Sequence, residues 1–259
     1  METRSTASSK GPEITLAFWV IKNAATTFGE TGGDTVTMTL NWGYLAGTAL
    51  FAAILALLVV VQIRASRFYK VLYWATIIAS TTFGTTMADF ADRSLGIGYV
   101  GGSTLLLSCL LLVLAIWYAS ERTISVNTVN TPRAEGFYWL AITFSQTLGT
   151  ALGDWVADTG GLGYLGGAGV FAAILLVLVG LYFWTGVSRV ALFWAAFITT
   201  RPLGATVGDF LDKPHADGGL ALSRPLASLV IAVFIIICLL VLPQRAGTHP
   251  GGKATSQQG

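Results

Sequence analysis

Carboxylates recur at four regularly spaced positions of an otherwise apolar chain. Each follows a glycine by five residues, and the four are Asp34, Asp89, Asp154 and Asp209. Each also has a second acid three or four residues away, which in a helix places both acids on one face. The pairs are Glu30/Asp34, Asp89/Asp92, Asp154/Asp158 and Asp209/Asp212. Such oxygen-rich groups suit hard cations, Ca²⁺, Mg²⁺ or Mn²⁺, or a proton relay.

The acids divide into an inner and an outer set. The four aspartates in register are the stronger candidates for binding, because exposure to solvent alone does not explain such repetition. For the outer acids we favour solvated helix ends, and these are Asp92, Asp158, Asp212 and Asp217. His215 is close enough in sequence to join a surface metal site, although a solvated loop is the favoured interpretation.

Two basic residues fall within apolar segments, where a cation is costly unless it is paired or faces a polar cavity. They are Lys22 and Arg201, and we expect both to point into the bundle toward the acids. Small residues four apart let helices approach closely in membranes, so the motif glycines are interpreted as packing residues. These glycines are Gly29, Gly33, Gly84, Gly149, Gly153, Gly204 and Gly208.

A tryptophan precedes each motif glycine by ten residues and defines an internal repeat. The four are Trp19, Trp74, Trp139 and Trp194, at offsets of 55, 65 and 55 residues. Two nested duplications explain this spacing. Ten residues of helix span roughly 15 Å, which favours an interfacial belt near the cytoplasm, with a pore-lining or gating role as the alternative.

The composition indicates an integral membrane protein. Of the 259 residues, 54% are hydrophobic and only 11% are charged, with a mean hydropathy of +0.68. Apolar runs approach the roughly 20 residues that cross a bilayer. We therefore predict an all-α integral membrane protein with eight transmembrane helices, arranged as four tandem two-helix repeats. Two crossings per repeat give all four the same orientation, in a pseudo-fourfold or paired pseudo-twofold bundle.

The repeats set the expected domain boundaries. A polar tail covers 1–13, the repeats cover 14–67, 68–120, 121–187 and 188–243, and a disordered tail covers 244–259. Cys109 and Cys238 lie in apolar runs without a CxxC spacing and are expected to be packing residues.

Charge asymmetry predicts the orientation. Ten of the fifteen basic residues lie at the termini and in the loops on one side of the eight crossings, whereas nine of the thirteen acids lie on or near the motif side. By the positive-inside rule both termini are cytoplasmic. The motif side then forms an acidic mouth that enriches cations.

The four tryptophans and their motifs, over nearly all of Trp19 to Leu242, resemble a family of bacterial inner-membrane proteins. Its members have four tandem repeats, each with two transmembrane segments and a tryptophan, and are usually described as uncharacterised membrane-anchored proteins. The resemblance implies a bacterial inner membrane and supplies no activity. ETGGDT, from Glu30 to Thr35, is also similar to the ExGD(K/R)(S/T) signature of cation exchangers and manganese exporters, with one extra glycine.

These features favour a cation transporter or channel without a cofactor, moving a divalent metal or protons. The expected partners are the lipid bilayer, a small cation and a second copy of the chain, with no nucleic acid. A non-transporting scaffold or sensor is the alternative. An intramembrane aspartyl protease fits less well, because the sequence has GxxxGD rather than GxGD and lacks a YD partner, so no enzyme is predicted.

Overall fold

The computed structural model describes residues 9–247, and this part of the chain is almost wholly helical. Each repeat supplies two long helices. They are α1 Leu16–Asp34, α2 Gly43–Arg64, α3 Lys70–Asp89, α4 Tyr99–Glu121, α5 Pro132–Asp154, α6 Gly163–Trp184, α7 Arg189–Asp212 and α8 Arg224–Val241. Five of them, α2, α4, α6, α7 and α8, are long and apolar enough to cross a membrane.

Local sequence signals set the starts of three odd-numbered helices. The hydroxyl of Thr15 accepts a hydrogen bond from a backbone N–H in the first turn of α1, and Thr131 and Ser188 do the same for α5 and α7. These caps satisfy N–H groups that have no partner within the helix. Pro132 then occupies the first turn of α5, where its missing N–H costs nothing.

The odd-numbered helices form a closed inner ring. Helix α1 packs against α3 and α7, and α5 packs against the same two helices. Each even-numbered helix packs on the odd-numbered helix of the next repeat, so that α2 covers α3, α4 covers α5, α6 covers α7 and α8 returns to α1. The helix packing therefore follows the pseudo-fourfold arrangement.

The motif glycines make the contacts within this ring. The first glycine of each motif lies against the residue that precedes the first motif glycine of the next repeat by three positions. The contacts are Gly29 with Thr81, Gly84 with Gln146, Gly149 with Arg201 and Gly204 with Thr26. A Cβ on Gly84 would lie only 2.8 Å from a backbone carbon of Gln146. One turn later the same pattern recurs, with Gly33 against Thr85, Gly153 against Ala205 and Gly208 against Glu30. The packing role predicted for the glycines is confirmed.

A π-helical turn follows the motif aspartate in three repeats. These turns are Thr35–Thr39, Phe90–Ser94 and Trp155–Thr159. In the fourth repeat α7 continues as α-helix to Asp212 and is followed by a short 3-10 helix, His215–Asp217. A π turn bonds residues five apart, so α1, α3 and α5 each lead into a turn whose geometry differs from that of an α-helix.

Aromatic pairs close the ring at the end where the odd-numbered helices begin. Each tryptophan follows a phenylalanine or tyrosine that contacts the tryptophan of a neighbouring repeat. The ring centroids are 5.5 Å apart for Phe18–Trp74, 5.6 Å for Tyr73–Trp139, 6.4 Å for Tyr138–Trp194 and 5.9 Å for Phe193–Trp19. We call these eight residues the aromatic ring.

The belt interpretation is wrong for Trp74, Trp139 and Trp194, which are all buried. Two of them find hydrogen-bond acceptors within the protein. The indole N–H of Trp74 donates to Gln244, and that of Trp194 donates to the carbonyl oxygen of Ile124. Buried indoles need such partners, and a lipid headgroup is not required. Trp19 is only partly buried.

The two ends of the described chain pair with each other beside the aromatic ring. Pro12 and Ala246 form an antiparallel bridge, and the N–H of Gly247 donates to Gly11. The ammonium of Lys10 lies 2.6 Å from the buried carboxylate of Glu135. The disorder predicted for the C-terminal tail is therefore wrong for residues 244–247, which are ordered by this pairing. Residues 1–8 and 248–259 of the predicted tails lie outside the described residues.

Candidate functional site

The four motif aspartates converge at the end of the ring opposite the aromatic ring. Asp34, Asp89 and Asp154 are the last residues of α1, α3 and α5, and Asp209 lies in the last turn of α7. All four are buried, with exposed fractions between 1% and 3%. Parallel inner helices of matched length bring them to one level. We call these four residues the aspartate ring.

Two basic residues bridge the aspartate ring in pairs. Arg93 lies 2.8 Å from Asp89 and 3.8 Å from Asp154. Lys213 lies 3.0 Å from Asp209 and 3.3 Å from Asp34. Each base follows its own aspartate by four residues and reaches the aspartate of the next repeat. The charges thus follow a pseudo-twofold pattern within a pseudo-fourfold helix ring.

Sequence reasoning did not assign Arg93 and Lys213 to the site. The sequence did contain an indication of their role, because Arg93 and Lys213 are 120 residues apart and so occupy equivalent positions in the two halves of the chain. Burial acts to lower the pKa of Lys213, but the neighbouring carboxylates of Asp209, Asp34 and Asp212 outweigh it and raise that pKa above its ordinary value. Lys213 is therefore held as an ammonium ion while these contacts last.

A buried ion pair crosses the centre of the ring one turn before the aspartates. The guanidinium of Arg201 donates to the carboxylate of Glu30 at 3.0 Å, and to the hydroxyls of Thr85 and Thr150 at 2.6 Å each. These partners belong to α1, α3 and α5. Arg201 thus contacts all three other inner helices, and the prediction that it points toward an acid is confirmed.

Lys22 does not reach an acid, contrary to the prediction. Its ammonium donates to the hydroxyl of Thr200 at 2.9 Å and lies 4.0 Å from the centre of the Phe197 ring. Glu30 is eight residues further along the same helix, roughly 12 Å away along its axis. The contact with the aromatic face stabilises this buried charge in place of a carboxylate.

The outer acids separate into buried and exposed members. Asp212 is buried and lies 3.2 Å from Arg224, so its interpretation as a solvated helix end is wrong. Arg224 also lies 3.7 Å from Asp34, which connects Asp212 to the aspartate ring. Asp158 is exposed and accepts a hydrogen bond from Tyr99. Asp92 is half-buried beside Gly102.

The predicted pairing of acids on one face is therefore uneven. Glu30 and Asp34 both face the interior, whereas Asp154 is buried and Asp158 is exposed. Asp158 lies in the π turn Trp155–Thr159 that follows Asp154. Asp217 and His215 are exposed in the loop before α8, and the ring of His215 bonds the carbonyl oxygen of Gly219, as expected of a loop residue.

Three carboxylates lie close enough to share one cation. Oxygen atoms of Glu30, Asp34 and Asp209 all lie within 4.8 Å of one another. A Ca²⁺ ion with oxygen ligands at 2.3–2.6 Å fits between oxygens at about this spacing. One oxygen of Asp34, Oδ1, is buried without a hydrogen-bond donor among residues 9–247. Such an atom is uncommon in native proteins and marks a place where an ion or water completes the bonding.

Buried polar groups without partners also lie one layer deeper. Nε and Nη1 of Arg201, both amide atoms of Gln146 and the hydroxyl of Thr81 have no hydrogen-bond partner among the described residues. These residues occupy equivalent positions in three repeats. Unpaired buried polar atoms cost free energy. A bound water molecule, or a rearrangement that pairs these atoms, would therefore stabilise this layer.

Comparison with known protein families also divides the chain into four repeats. The family model described as Repeat of Unknown Function (DUF347) matches residues 17–68, 72–123, 137–188 and 192–245. The chain belongs to this family. The resemblance to a four-repeat family is thus confirmed, and the description of the DUF347 family assigns no activity. No curated protein and no solved structure matches the chain.

Proposed function

We propose that this DUF347 protein is a membrane carrier for cations, moving a divalent metal ion or protons through the aspartate ring. The convergence of the four motif aspartates in the buried centre of one closed helix ring carries this proposal. Buried carboxylates in a membrane bundle are costly, and they mark ion or proton pathways when they occur.

All eight helices cross the membrane in this proposal. The even-numbered helices expose apolar side chains, such as Leu176 at 71% and Leu240 at 75%, which suit contact with lipid. Helices α1, α3 and α5 are more polar, but they lie inside the ring and run alongside helices that are apolar enough to span. By the positive-inside rule we infer that both termini are in the cytoplasm of a bacterial inner membrane, with the aspartate ring toward the other side; the basic residues of the loops support this orientation.

The charge balance supports a cation as the moving species. Six buried carboxylates cluster here, namely Glu30, Asp34, Asp89, Asp154, Asp209 and Asp212. Four bases face them, namely Arg93, Arg201, Lys213 and Arg224. With every group ionised, two negative charges remain in a water-poor interior. A bound cation or two protons would neutralise them at the lowest cost.

The blocked end and the blocked centre of the helix ring favour a carrier over an open channel. The aromatic ring blocks one end, and Arg201 lies across the middle, where its positive charge repels a passing cation. A cation would then bind from the acidic side and require a conformational change to leave on the other side.

The test is ion flux into proteoliposomes loaded with a divalent-sensitive or pH-sensitive dye. Mn²⁺, Mg²⁺, Ca²⁺ and a pH jump are compared for the native protein and for a variant carrying Asp89→Asn and Asp209→Asn. Asp158→Asn is the matched control, because Asp158 is exposed outside the ring. Size-exclusion chromatography and thermal unfolding in detergent establish that each variant is folded.

We expect the native protein and Asp158→Asn to move one of these cations and the double variant to lose at least nine-tenths of that flux. Native protein that moves no cation would overturn the proposal and favour a scaffold or sensor. Equal flux in the folded double variant would remove the aspartate ring from the pathway.

A further inference from the structure

The pseudo-twofold relation between the two halves of the chain defines two half-sites in the aspartate ring. In one, Lys213 bridges Asp34 and Asp209. In the other, Arg93 bridges Asp154 and Asp89. Residues 120 positions apart are equivalent in the two halves. Asp34 is therefore equivalent to Asp154, Asp209 to Asp89 and Lys213 to Arg93. We call them the lysine half-site and the arginine half-site.

The half-sites differ in their third acid. Glu30 completes a group of three carboxylates with Asp34 and Asp209. The residue 120 positions later is Thr150, whose hydroxyl accepts a hydrogen bond from Arg201. The lysine half-site therefore offers three anionic ligands, and the arginine half-site offers two.

The bridging bases also differ in chemistry. An ammonium ion is a compact point charge on a flexible stem, whereas a guanidinium is planar and binds carboxylates through a fixed fork of donors. Nε of Arg93 lies 2.8 Å from the carboxylate of Asp89, and Arg93 is in the π turn that directly follows Asp89. A metal ion, like an ammonium ion, is a compact charge, so it can take the place of one without rearranging a planar network of donors.

Unsatisfied bonding supports the same half-site independently of its acidity. Oδ1 of Asp34 is buried without a donor in the described part of the chain, although Oδ2 of the same carboxylate is close to both Lys213 and Arg224. A cation that binds both oxygens, or one that binds Oδ1, would satisfy this atom. The corresponding acid, Asp154, has no such orphaned oxygen among the described residues.

We propose that the ammonium of Lys213 occupies the binding site of a divalent cation, formed by Glu30, Asp34 and Asp209, and competes with that cation for it. This inference rests on the proposed function and names its binding residues and its built-in competitor. Lys213 holds the carboxylates together in the absence of a metal ion and swings out when one binds. The arginine half-site remains paired throughout and keeps the ring assembled.

Equilibrium binding of Mn²⁺ to the full-length protein in detergent tests this inference without any transport step. Free Mn²⁺ is followed by its electron paramagnetic resonance signal, which broadens on binding. Lys213→Met removes the competitor, and we expect it to raise the affinity for Mn²⁺ at least tenfold. Arg93→Met is the matched variant in the other half-site, which lacks a third carboxylate, and we expect it to raise the affinity for Mn²⁺ less than Lys213→Met does.

A second pair of variants keeps Lys213 in place, so that the test does not depend on the folding of Lys213→Met. Asp34→Asn removes a ligand and is expected to weaken Mn²⁺ binding at least tenfold, whereas Asp154→Asn removes no ligand of this site and should weaken binding less than Asp34→Asn does. Equal effects of the two substitutions, or unchanged affinity in folded Lys213→Met, would overturn the inference. Binding that follows these expectations without flux would overturn only the proposed function, and flux without this pattern would overturn only the inference.

Discussion

Arg201 of α7 and Glu30 of α1 form an ion pair at 3.0 Å in the centre of the helix ring, with side chains 0% and 4% exposed. The position of Glu30 is taken by Thr85, Thr150 and Ala205 in the other repeats. Ala205 follows Arg201 by one turn on the same helix. The pair therefore joins the first repeat to the last at a position where the residue types break the pseudo-fourfold symmetry.

Breaking this pair should cost more stability than removing it. Glu30→Gln leaves the guanidinium of Arg201 buried without a counter-charge, and we expect a loss of about 3–5 kcal/mol in the free energy of unfolding. Adding Arg201→Met to Glu30→Gln should recover most of that loss, since neither charge then remains. Chemical unfolding in detergent, followed by tryptophan fluorescence, measures both. A double variant less stable than Glu30→Gln would contradict this account of the pair.

The contact between α3 and α5 should not tolerate a methyl group. In Gly84→Ala the new Cβ would lie 2.8 Å from a backbone carbon of Gln146, and the two helices would have to separate. We expect a loss of about 1–3 kcal/mol in stability. Gly136→Ala in α5 is the control, because nothing lies within 4 Å of its Cβ, and helix propensity favours alanine there by up to about 1 kcal/mol. Similar unfolding midpoints for the two variants would count against the close approach.

The hydroxyls of Tyr73 and Tyr138 are hydrogen-bonded at 2.6 Å inside the aromatic ring. Tyr73→Phe leaves the buried hydroxyl of Tyr138 without this partner, and we expect a loss of about 1–3 kcal/mol in stability. Replacing both tyrosines by phenylalanine removes both polar atoms, so the double variant should unfold within about 1 kcal/mol of the native protein. A thermodynamic cycle from thermal unfolding tests this, and additive losses would show that the hydroxyls are not coupled.

Two acids of the third repeat should differ in their effect on transport. Asp154→Asn removes a carboxylate of the aspartate ring and leaves Arg93 with only Asp89, so we expect at least a tenfold loss of flux. Asp158→Asn alters an exposed side chain that contacts Tyr99, and we expect flux within twofold of the native value. Flux in proteoliposomes checks both. Comparable losses in the two variants would place the pathway outside the aspartate ring.

The sequence alone predicted the elements and their repetition. A helical period, the apolar runs and the register of glycine, aspartate and tryptophan depend only on local spacing. The same spacing identified the residues of the aspartate ring, and the glycines were interpreted correctly as packing residues because small residues four apart define a helix face.

Tertiary structure decided what each side chain faces. The tryptophans were expected at the lipid interface, but the ring closes through them and buries three. Lys22 and Arg201 were treated alike, yet only Arg201 lies level with Glu30 across the bundle. The roles of Arg93 and Lys213 depend on contacts between repeats, because each base bridges aspartates that are distant in sequence but adjacent across the ring. Arg93 bridges Asp89 and Asp154, 65 residues apart, and Lys213 bridges Asp34 and Asp209, 175 residues apart.

The order of the repeats along the chain therefore determined which residues are equivalent, whereas their cyclic packing determined which residues are partners. Equivalence is a property of sequence register and is readable from spacing. Partnership depends on which helix each repeat packs against, and here α8 returns to α1 so that the last repeat meets the first. The ion pairs of Glu30 and Asp34 with the fourth repeat exist only because that ring closes.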